Sequence, residues 1–437
     1  MSRETSCKPH FFDFFPLTTE FMKKQKSRVK TNLVASNDGC IFIPVYVAGL
    51  LNLFEQFCDE EIKNYVIQNE FQDKKSIRVF NKNSNSYFHY PWLLLAANEH
   101  HRKNNYRKKI GAETSKIFVD SGGFSLAMGK TSQTTYTDKK ALDWSEKNGD
   151  IFPILDRPSW NIGKDKPFKT YQECLEKSIG SAKYYYENRS NSNCSVLNVL
   201  QGQTIHQKRK WYESIKQYEF DGWAVGGLVP VKGYGRLKII LDSISVLLET
   251  GELEKPDVKY LHFFGISTLD GIIYLEFIQQ KLKDKNIEIQ ITYDSSTWNR
   301  GIVYGNYKID NPIQGTNGGK ATNILHQQII NITNKNIYQD MSENARLPCD
   351  CPICENLIKP KDFFNWKTNG DGKKIQMLRF RNIFSFHNLY LALEYIEKVR
   401  NVLRFNSMDF NRIVFGEKVF KGLEKIDRFF NKSSRVV

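Results

Sequence analysis

A short apolar run, rich in β-branched residues and closed by a carboxylate, a carboxamide or a glycine, recurs along the first two thirds of the chain. The runs are Ile41–Val47, Ser76–Phe80 (the weakest), Ile117–Asp120, Ile151–Asp156, Val196–Gln201, Gly222–Val225, Tyr260–Gly265 and Ile287–Asp294. Between them, helical spacing predicts helices over Asp138–Lys147, Tyr171–Glu187, Ile205–Tyr218, Arg236–Glu249 and Leu269–Lys283. Such alternation implies parallel strands with helices outside. Eight strands of this kind close a TIM (β/α)8 barrel, which takes about 250 residues, roughly the span from Ile41 to Asp294. An open doubly wound sheet is the alternative, since one strand more or less changes the closure.

Polar residues end these runs rather than start them: Asp120, Asp156, Gln201, Gly226-Gly227, Gly265 and Asp294. In a parallel barrel such ends converge on one rim, where active sites form. The chain also divides by composition. Residues 1–35 read as an N-terminal extension and 36–304 as the barrel; 305–437 form a basic, metal-bearing C-terminal subdomain. In that last part a helix is expected near Asn323–Ile332, with others at roughly His387–Leu403 and Glu417–Phe430. At 40% apolar and 13% aromatic residues the chain can bury a large core. Its longest apolar run, from Ile41 to Leu51, is interrupted by Pro44 and too short to cross a bilayer. The opening MSRETSCKPHFF lacks the apolar stretch of a signal peptide, so no membrane and a cytoplasmic setting are expected.

Three of the eight cysteines crowd into Cys349-Asp-Cys351-Pro-Ile-Cys354. Three soft ligands in one tight turn suit tetrahedral Zn2+. The single histidine beyond them, His387, opens the amphipathic segment HNLYLALEYIEKV and is the expected fourth ligand. A closed Cys3His set is structural, one zinc per chain, contributing roughly 10–16 kcal/mol to local folding.

Taken singly, Val119-Asp120-Ser121-Gly122-Gly123-Phe124, Leu200-Gln201-Gly202 and Val225-Gly226-Gly227-Leu228 are ordinary strand-to-turn sequences. Glycine pairs there let a backbone approach a flat ligand closely. In this order, and together with the cysteine knuckle, the array resembles the tRNA-guanine transglycosylases and their DNA-modifying paralogues. Asp120 to Phe124 is similar to the family signature. Phe220-Asp221-Gly222-Trp223-Ala224-Val225-Gly226-Gly227-Leu228 is similar to a second block, and Cys-x-Cys-x2-Cys with His387-Asn388-Leu389-Tyr390 to the zinc subdomain. The resemblance implies exchange of a guanine in nucleic acid for a 7-deazaguanine (preQ0-like) base, with the glycosidic bond cleaved and remade. Asp294 corresponds to the nucleophile at C1′, and Asp120 to the general acid/base. Asp156, Gln201, Gly226, Gly227, Ser121 and Gly122 correspond to the base-binding groups, and Arg300 to an arginine just past the nucleophile. No dissociable cofactor is implied, and a homodimer or helper protein is.

The chemistry is consistent with those roles. Guanine leaves poorly, and a carboxylate below the sugar can stabilise and trap an oxocarbenium-like centre, as in retaining glycosidases. A second carboxyl must pass a proton between departing and incoming bases. Guanine N1–H and N2–H2 suit an acceptor such as Asp156, and O6 suits the Gln201 amide or the Gly227 N–H.

The chain departs from the tRNA enzymes at three places. Ser125 follows Phe124 where the family usually has Gln, the Asp120–Asp156 segment is short, and Ser295-Ser296-Thr297-Trp298-Asn299-Arg300 lacks a Pro-Thr-Arg run. These changes favour the DNA-guanine transglycosylases of bacteria and phage-infected cells, with tRNA as the alternative polymer. A catalytically silent nucleic-acid-binding paralogue is a further alternative, although such forms usually lose a carboxylate. A basic balance, 63 Lys and Arg against 48 Asp and Glu, suits a polyanion. Residues 356–386 carry Lys373, Lys374 and Arg379 among seven cations, expected to bind nucleic acid. Further clusters are Lys23 to Lys30, Arg102-Lys103 and Arg107-Lys108-Lys109, with Phe363, Phe364, Trp366 and Trp298 as candidate stacking rings. Gly315 to Thr322 lacks the spacing of a phosphate loop, and His206 and His262 are read as core or rim residues without catalytic roles.

Overall fold

The computed structural model describes residues 39–46, 78–101, 106–296, 298, 306–310, 327–331, 351–357, 371–404 and 407–433. Eight parallel strands form one sheet: β1 Ile41–Pro44, β2 Trp92–Ala96, β3 Lys116–Asp120, β4 Ile151–Pro153, β5 Ser195–Leu200, β6 Gly222–Val225, β7 Tyr260–Phe263 and β8 Gln290–Ser295. The sheet closes on itself. β1 pairs with β8, Ile43 opposite Asp294, and past its end Val45 bridges Leu94 of β2, where the Tyr46 N–H donates to the Leu94 carbonyl at 2.8 Å. The expected barrel is therefore the fold, and the open sheet is not.

The helices around it are α1 Ala97–His100, α2 Tyr106–Lys109, α3 Gly123–Ala127, α4 Asp138–Asn148, α5 Tyr171–Asn188, α6 Ile205–Ile215, α7 Gly233–Glu249 and α8 Leu269–Asp284. Local chemistry starts several of them. Thr137, Thr170 and Thr204 each sit in extended backbone and accept a hydrogen bond from a first-turn N–H of α4, α5 and α6. A threonine cap of this kind stabilises a helix by about 1 kcal/mol. Among the described residues no helix is long and apolar enough to cross a membrane.

Two expectations need correction. The second strand is Trp92–Ala96, not Ser76–Phe80; residues 78–80 form a turn whose Val79 and Phe80 plug the core, with the Tyr90 N–H on the Val79 carbonyl at 2.8 Å. The run WLLLA is apolar throughout, and such a run carries no period that separates strand from helix. The helix expected at Asn323–Ile332 is instead β10, Gln327–Asn331, antiparallel to β9, Asn306–Asp310. Ile329 and Ile330 are β-branched neighbours that suit an extended chain better than a helix turn. Residues 1–35 lie outside the described residues.

The C-terminal part adds α9 Pro352–Leu357, α10 Asp371–Arg404 and α11 Met408–Ser433. Gly416 (φ 77°, ψ 161°) breaks α11, so a helix restarts at Glu417 as its sequence suggests. α10 and α11 lie against the barrel helices: Lys281 pairs with Asp427 at 2.6 Å, and the Tyr234 hydroxyl donates to the Lys418 carbonyl at 2.7 Å.

The deepest tie is ionic. Arg400 of α10 donates through Nε to Glu276 Oε1 of α8 at 3.1 Å and through Nη2 to the Cys40 carbonyl, while the Cys40 N–H donates to Glu276 Oε2 at 3.1 Å. Both charged side chains are buried, and burial pushes the Glu276 carboxyl up against the pull of Arg400. Removing one partner strands the other charge in low dielectric. Arg400→Met is expected to cost about 3–5 kcal/mol in chemical denaturation, and adding Glu276→Leu should recover part of it. An unchanged unfolding midpoint in the single variant would refute the tie.

Candidate active site and metal centre

Asp120 is the last residue of β3, and Asp294 lies one residue before the end of β8, so parallel direction alone carries both to the same mouth. Asp156 follows β4 by three residues, and Gln201 follows β5 directly. The three carboxyl groups feel one another: Asp294 and Asp156 both raise the affinity of Asp120 for its proton. Burial is the larger cause, and together they push Asp120 up to about 7, against the Gly122 N–H that donates to its Oδ1 at 3.0 Å. Asp156 is buried and pushed up to about 6 by desolvation, opposed by the Gln201 amide, whose Nε2 donates to Oδ2 at 2.6 Å. Asp294 is held differently. Its Oδ1 accepts the Gly265 N–H at 2.8 Å, and His262 Nε2 lies 3.4 Å from the same oxygen.

The glycines sit where backbone must come close. A Cβ at Gly123 would collide with the Asp156 carboxylate, and one at Gly226 with the Gln201 amide. Gly227 turns the chain beside the Gln203 amide, and Gly122 caps α3. Around this floor the Ser121 hydroxyl, Gln201 Oε1 and Gln203 Nε2 are buried with no hydrogen-bond partner among the described residues. Buried polar atoms are normally satisfied, so a cluster of unsatisfied ones at a barrel mouth marks a place where a polar ligand completes the bonding. Phe124 and Trp160 stand at the rim, ring centroids 5.8 Å apart.

Cys351, Cys354 and His387 come together as buried residues. His387 Nδ1 lies 3.1 Å from each sulfur, and the Cys354 N–H donates to Cys351 Sγ at 3.3 Å. Two thiols and an imidazole nitrogen converging in a dry site form a donor set that a tetrahedral, borderline-soft cation fits. Cys349 lies outside the described residues.

The nucleic-acid candidates fare unevenly. Arg300 lies outside the described residues, as do Lys23 to Lys30, Arg102, Lys103 and the aromatics 363, 364 and 366. Lys373, Lys374 and Arg379 fall on the first half of α10. Trp298 is a correction. It is 1% exposed, 6.2 Å from Phe386, with its carbonyl taken by the Asn388 amide at 3.2 Å, so it packs and does not stack on bases. Arg107 is another: its guanidinium holds Asp150 at 2.6 Å and the Asn148 and Ser115 carbonyls. His262, read from sequence as a core residue, is the neighbour of Asp294 that the motif reading passed over.

No family model matches the chain. Among curated proteins it is 22% identical over 291 residues to the tRNA-guanine(15) transglycosylase of Methanococcus vannielii, a match covering 66% of this chain and 37% of that protein. It is 22% identical over 294 residues to the tRNA-guanine(15) transglycosylase of Methanococcus aeolicus, with the same coverage. With the queuine tRNA-ribosyltransferase of Helicobacter pylori it shares 23% identity over 280 residues, 61% of this chain and 62% of that protein. The chain thus spans little more than a third of the length of its archaeal relatives. The fold is a parallel barrel whose mouth gathers carboxylates, and the matches make the chain distantly similar to tRNA-guanine transglycosylases and a queuine tRNA-ribosyltransferase.

Two outcomes follow from the site. A carboxyl whose pKa rises on folding binds its proton more tightly in the native state, so ionising it destabilises the fold. For Asp120 this destabilisation begins above the unfolded value near 4, grows to about pH 7, and persists beyond. Asp120→Asn should therefore be more stable than the parent at pH 8 by on the order of 1–2 kcal/mol, with the difference vanishing toward pH 4. Equal stabilities at both pH values would refute the desolvation of Asp120. Metal analysis is expected to find about one bound ion per chain. His387→Ala should lose it together with thermal stability, and a metal-free parent of undiminished stability would dismiss the centre.

Proposed function

We propose that the chain is a nucleic-acid guanine transglycosylase working through a covalent aspartyl–sugar intermediate. The observation that carries this reading is the unequal treatment of two carboxyls at one mouth. Asp120 is held near half-protonation at neutral pH, while Asp294 accepts the Gly265 N–H on the same oxygen that His262 Nε2 approaches at 3.4 Å. The first suits a general acid/base and the second a nucleophile. Asp294 Oδ2 attacks C1′ as the C1′–N9 bond breaks, and the electron pair leaves with guanine while Asp120 gives it a proton. The incoming 7-deazaguanine then gives a proton to Asp120 as its nitrogen displaces Asp294, so bonds and charges balance over the cycle.

Asp156, ionised above about pH 6, would accept from the N1–H and N2–H2 of the base, with Gln201 Oε1 beside it. Ser121 and the Gly226-Gly227 backbone would close the remaining edges. Phe124, at the rim, offers a face for the ring. Cys351, Cys354 and His387, with Cys349 as fourth ligand, would hold one Zn2+ in a structural role apart from the reaction.

The relatives named above are tRNA enzymes by name, and they favour tRNA as the polymer. DNA remains a second reading because of Ser125, the short Asp120–Asp156 segment and the altered sequence after Asp294. Labelled guanine incubated with the chain and either bulk tRNA or plasmid DNA should enter one polymer. Label in tRNA establishes the first reading, label in DNA the second, and label in neither overturns base exchange. Asp294→Ala should bring exchange to background while the folded chain still binds guanine; normal exchange in that variant would remove its role.

A further inference from the structure

Beside Asp294 lies a buried titratable side chain that the exchange cycle leaves unused. His262 of β7 is fully buried and clamped on three sides. Phe118 of β3 stacks on its ring at 4.1 Å with 23° between planes, Phe264 meets it edge-on at 4.7 Å, and Thr292 Oγ1 lies 2.8 Å from Nδ1. The remaining nitrogen, Nε2, is buried with no full hydrogen bond and faces Asp294 Oδ1 at 3.4 Å. The Gly265 N–H already occupies that same oxygen, and Asp294 Oδ2 has no hydrogen-bond partner among the described residues.

We propose, resting on the reading of Asp294 as the nucleophile, that His262 is its positioning residue: a neutral imidazole with its proton on Nε2 that fixes the carboxylate through Oδ1 and leaves Oδ2 to meet C1′. The tautomer follows from the partners. Nε2 beside a carboxylate oxygen must carry the hydrogen, because two acceptors repel; Nδ1 then accepts from the Thr292 hydroxyl, which is free to donate. Burial lowers the affinity of the ring for a second proton, and Asp294 is the charged group that opposes it. Neutrality matters for the chemistry. An imidazolium would form an ion pair and draw charge from the nucleophile, whereas a neutral N–H orients the carboxylate and leaves its charge in place. The 3.4 Å separation is that of a contact which shortens when substrate fills the mouth, as hydrogen bonds around reacting groups commonly do. A ring wedged between two phenylalanines has little rotameric freedom to lose when that happens.

Nitrogen-15 NMR of the histidine-labelled full chain tests the pairing without any reaction. A protonated Nε2 and an acceptor Nδ1, unchanged from pH 5.5 to 8, with the Nε2 signal moving in Asp294→Asn, is the expected result. An Nδ1–H tautomer, or a ring titrating like a free histidine, overturns the proposal. Kinetics supplies the second arm. His262→Phe should slow exchange about 100-fold while guanine affinity stays within about threefold, and His262→Gln, which keeps an N–H at similar reach, should recover at least about tenfold. Parent-like exchange in His262→Phe, or no recovery in His262→Gln, also overturns it. Should the parent exchange base on neither polymer, base exchange falls, and the tautomer with its response at Asp294→Asn decides the pairing alone.

Discussion

Scarcity of water at the barrel mouth governs what each carboxyl there can do. Asp120, Asp156 and Asp294 converge because eight strands run in one direction, and burial disfavours the charged forms of Asp120 and Asp156. Each is therefore held by its own small set of donors: a turn N–H for Asp120, a side-chain amide for Asp156, a glycine N–H and a nearby imidazole for Asp294. Burial pushes Asp120 up to about 7 and Asp156 up to about 6, so both sit above an ordinary carboxyl group in one pocket.

The opposite end of the barrel uses the same residue types for a different purpose. Asp150, just before β4, accepts the Ile117 N–H at 2.7 Å and pairs with Arg107. Asp221, just before β6, accepts the Val196 N–H at 2.9 Å and lies 3.4 Å from Arg189. These carboxylates meet backbone N–H groups at the starts of strands and are matched by arginines, so they are fully engaged. At the C-terminal mouth the polar atoms of Ser121, Gln201 and Gln203 have no hydrogen-bond partner among the described residues, and they lie beside Asp120 and Asp156 on the face where parallel barrels bind their ligands.

The positions legible from sequence were those where strand direction and residue chemistry coincide. Asp120 and Asp294 close apolar β-branched runs, and a parallel arrangement forces both to the rim. Gly226 is legible as a glycine, but that its partner is the Gln201 amide depends on how β5 and β6 register, which no local pattern encodes. Trp92–Ala96 lacked alternation because a barrel strand is covered on both faces. Trp298 looked like a stacking ring because an aromatic in a polar segment just past a strand end has no local signal of burial; its cover comes from Phe386 and Asn388, about ninety residues on. His262 was passed over for a related reason. A lone histidine in an apolar strand reads as core, and only the pairing of β7 with β8, His262 opposite Thr292, brings its second nitrogen to Asp294.

Helix α10 links these features across the closure of the barrel. His387 faces Cys351, just before α9, and Cys354 within it; its neighbour Asn388 holds the Trp298 carbonyl just past β8, and Arg400 holds the Cys40 carbonyl just before β1. Thirteen helical residues separate His387 from Arg400, about 20 Å at 1.5 Å each, comparable to the length of a barrel strand with its connections. β1 and β8 are the pair whose hydrogen bonds close the cylinder, and β8 carries Asp294. One helix thus braces the exit of β8 at one end and the entry of β1 at the other, with the metal-ligand cluster setting where the brace begins. Trp298, whose carbonyl Asn388 holds, lies four residues past Asp294, so the cluster around His387 and the barrel mouth are joined through one short stretch of chain.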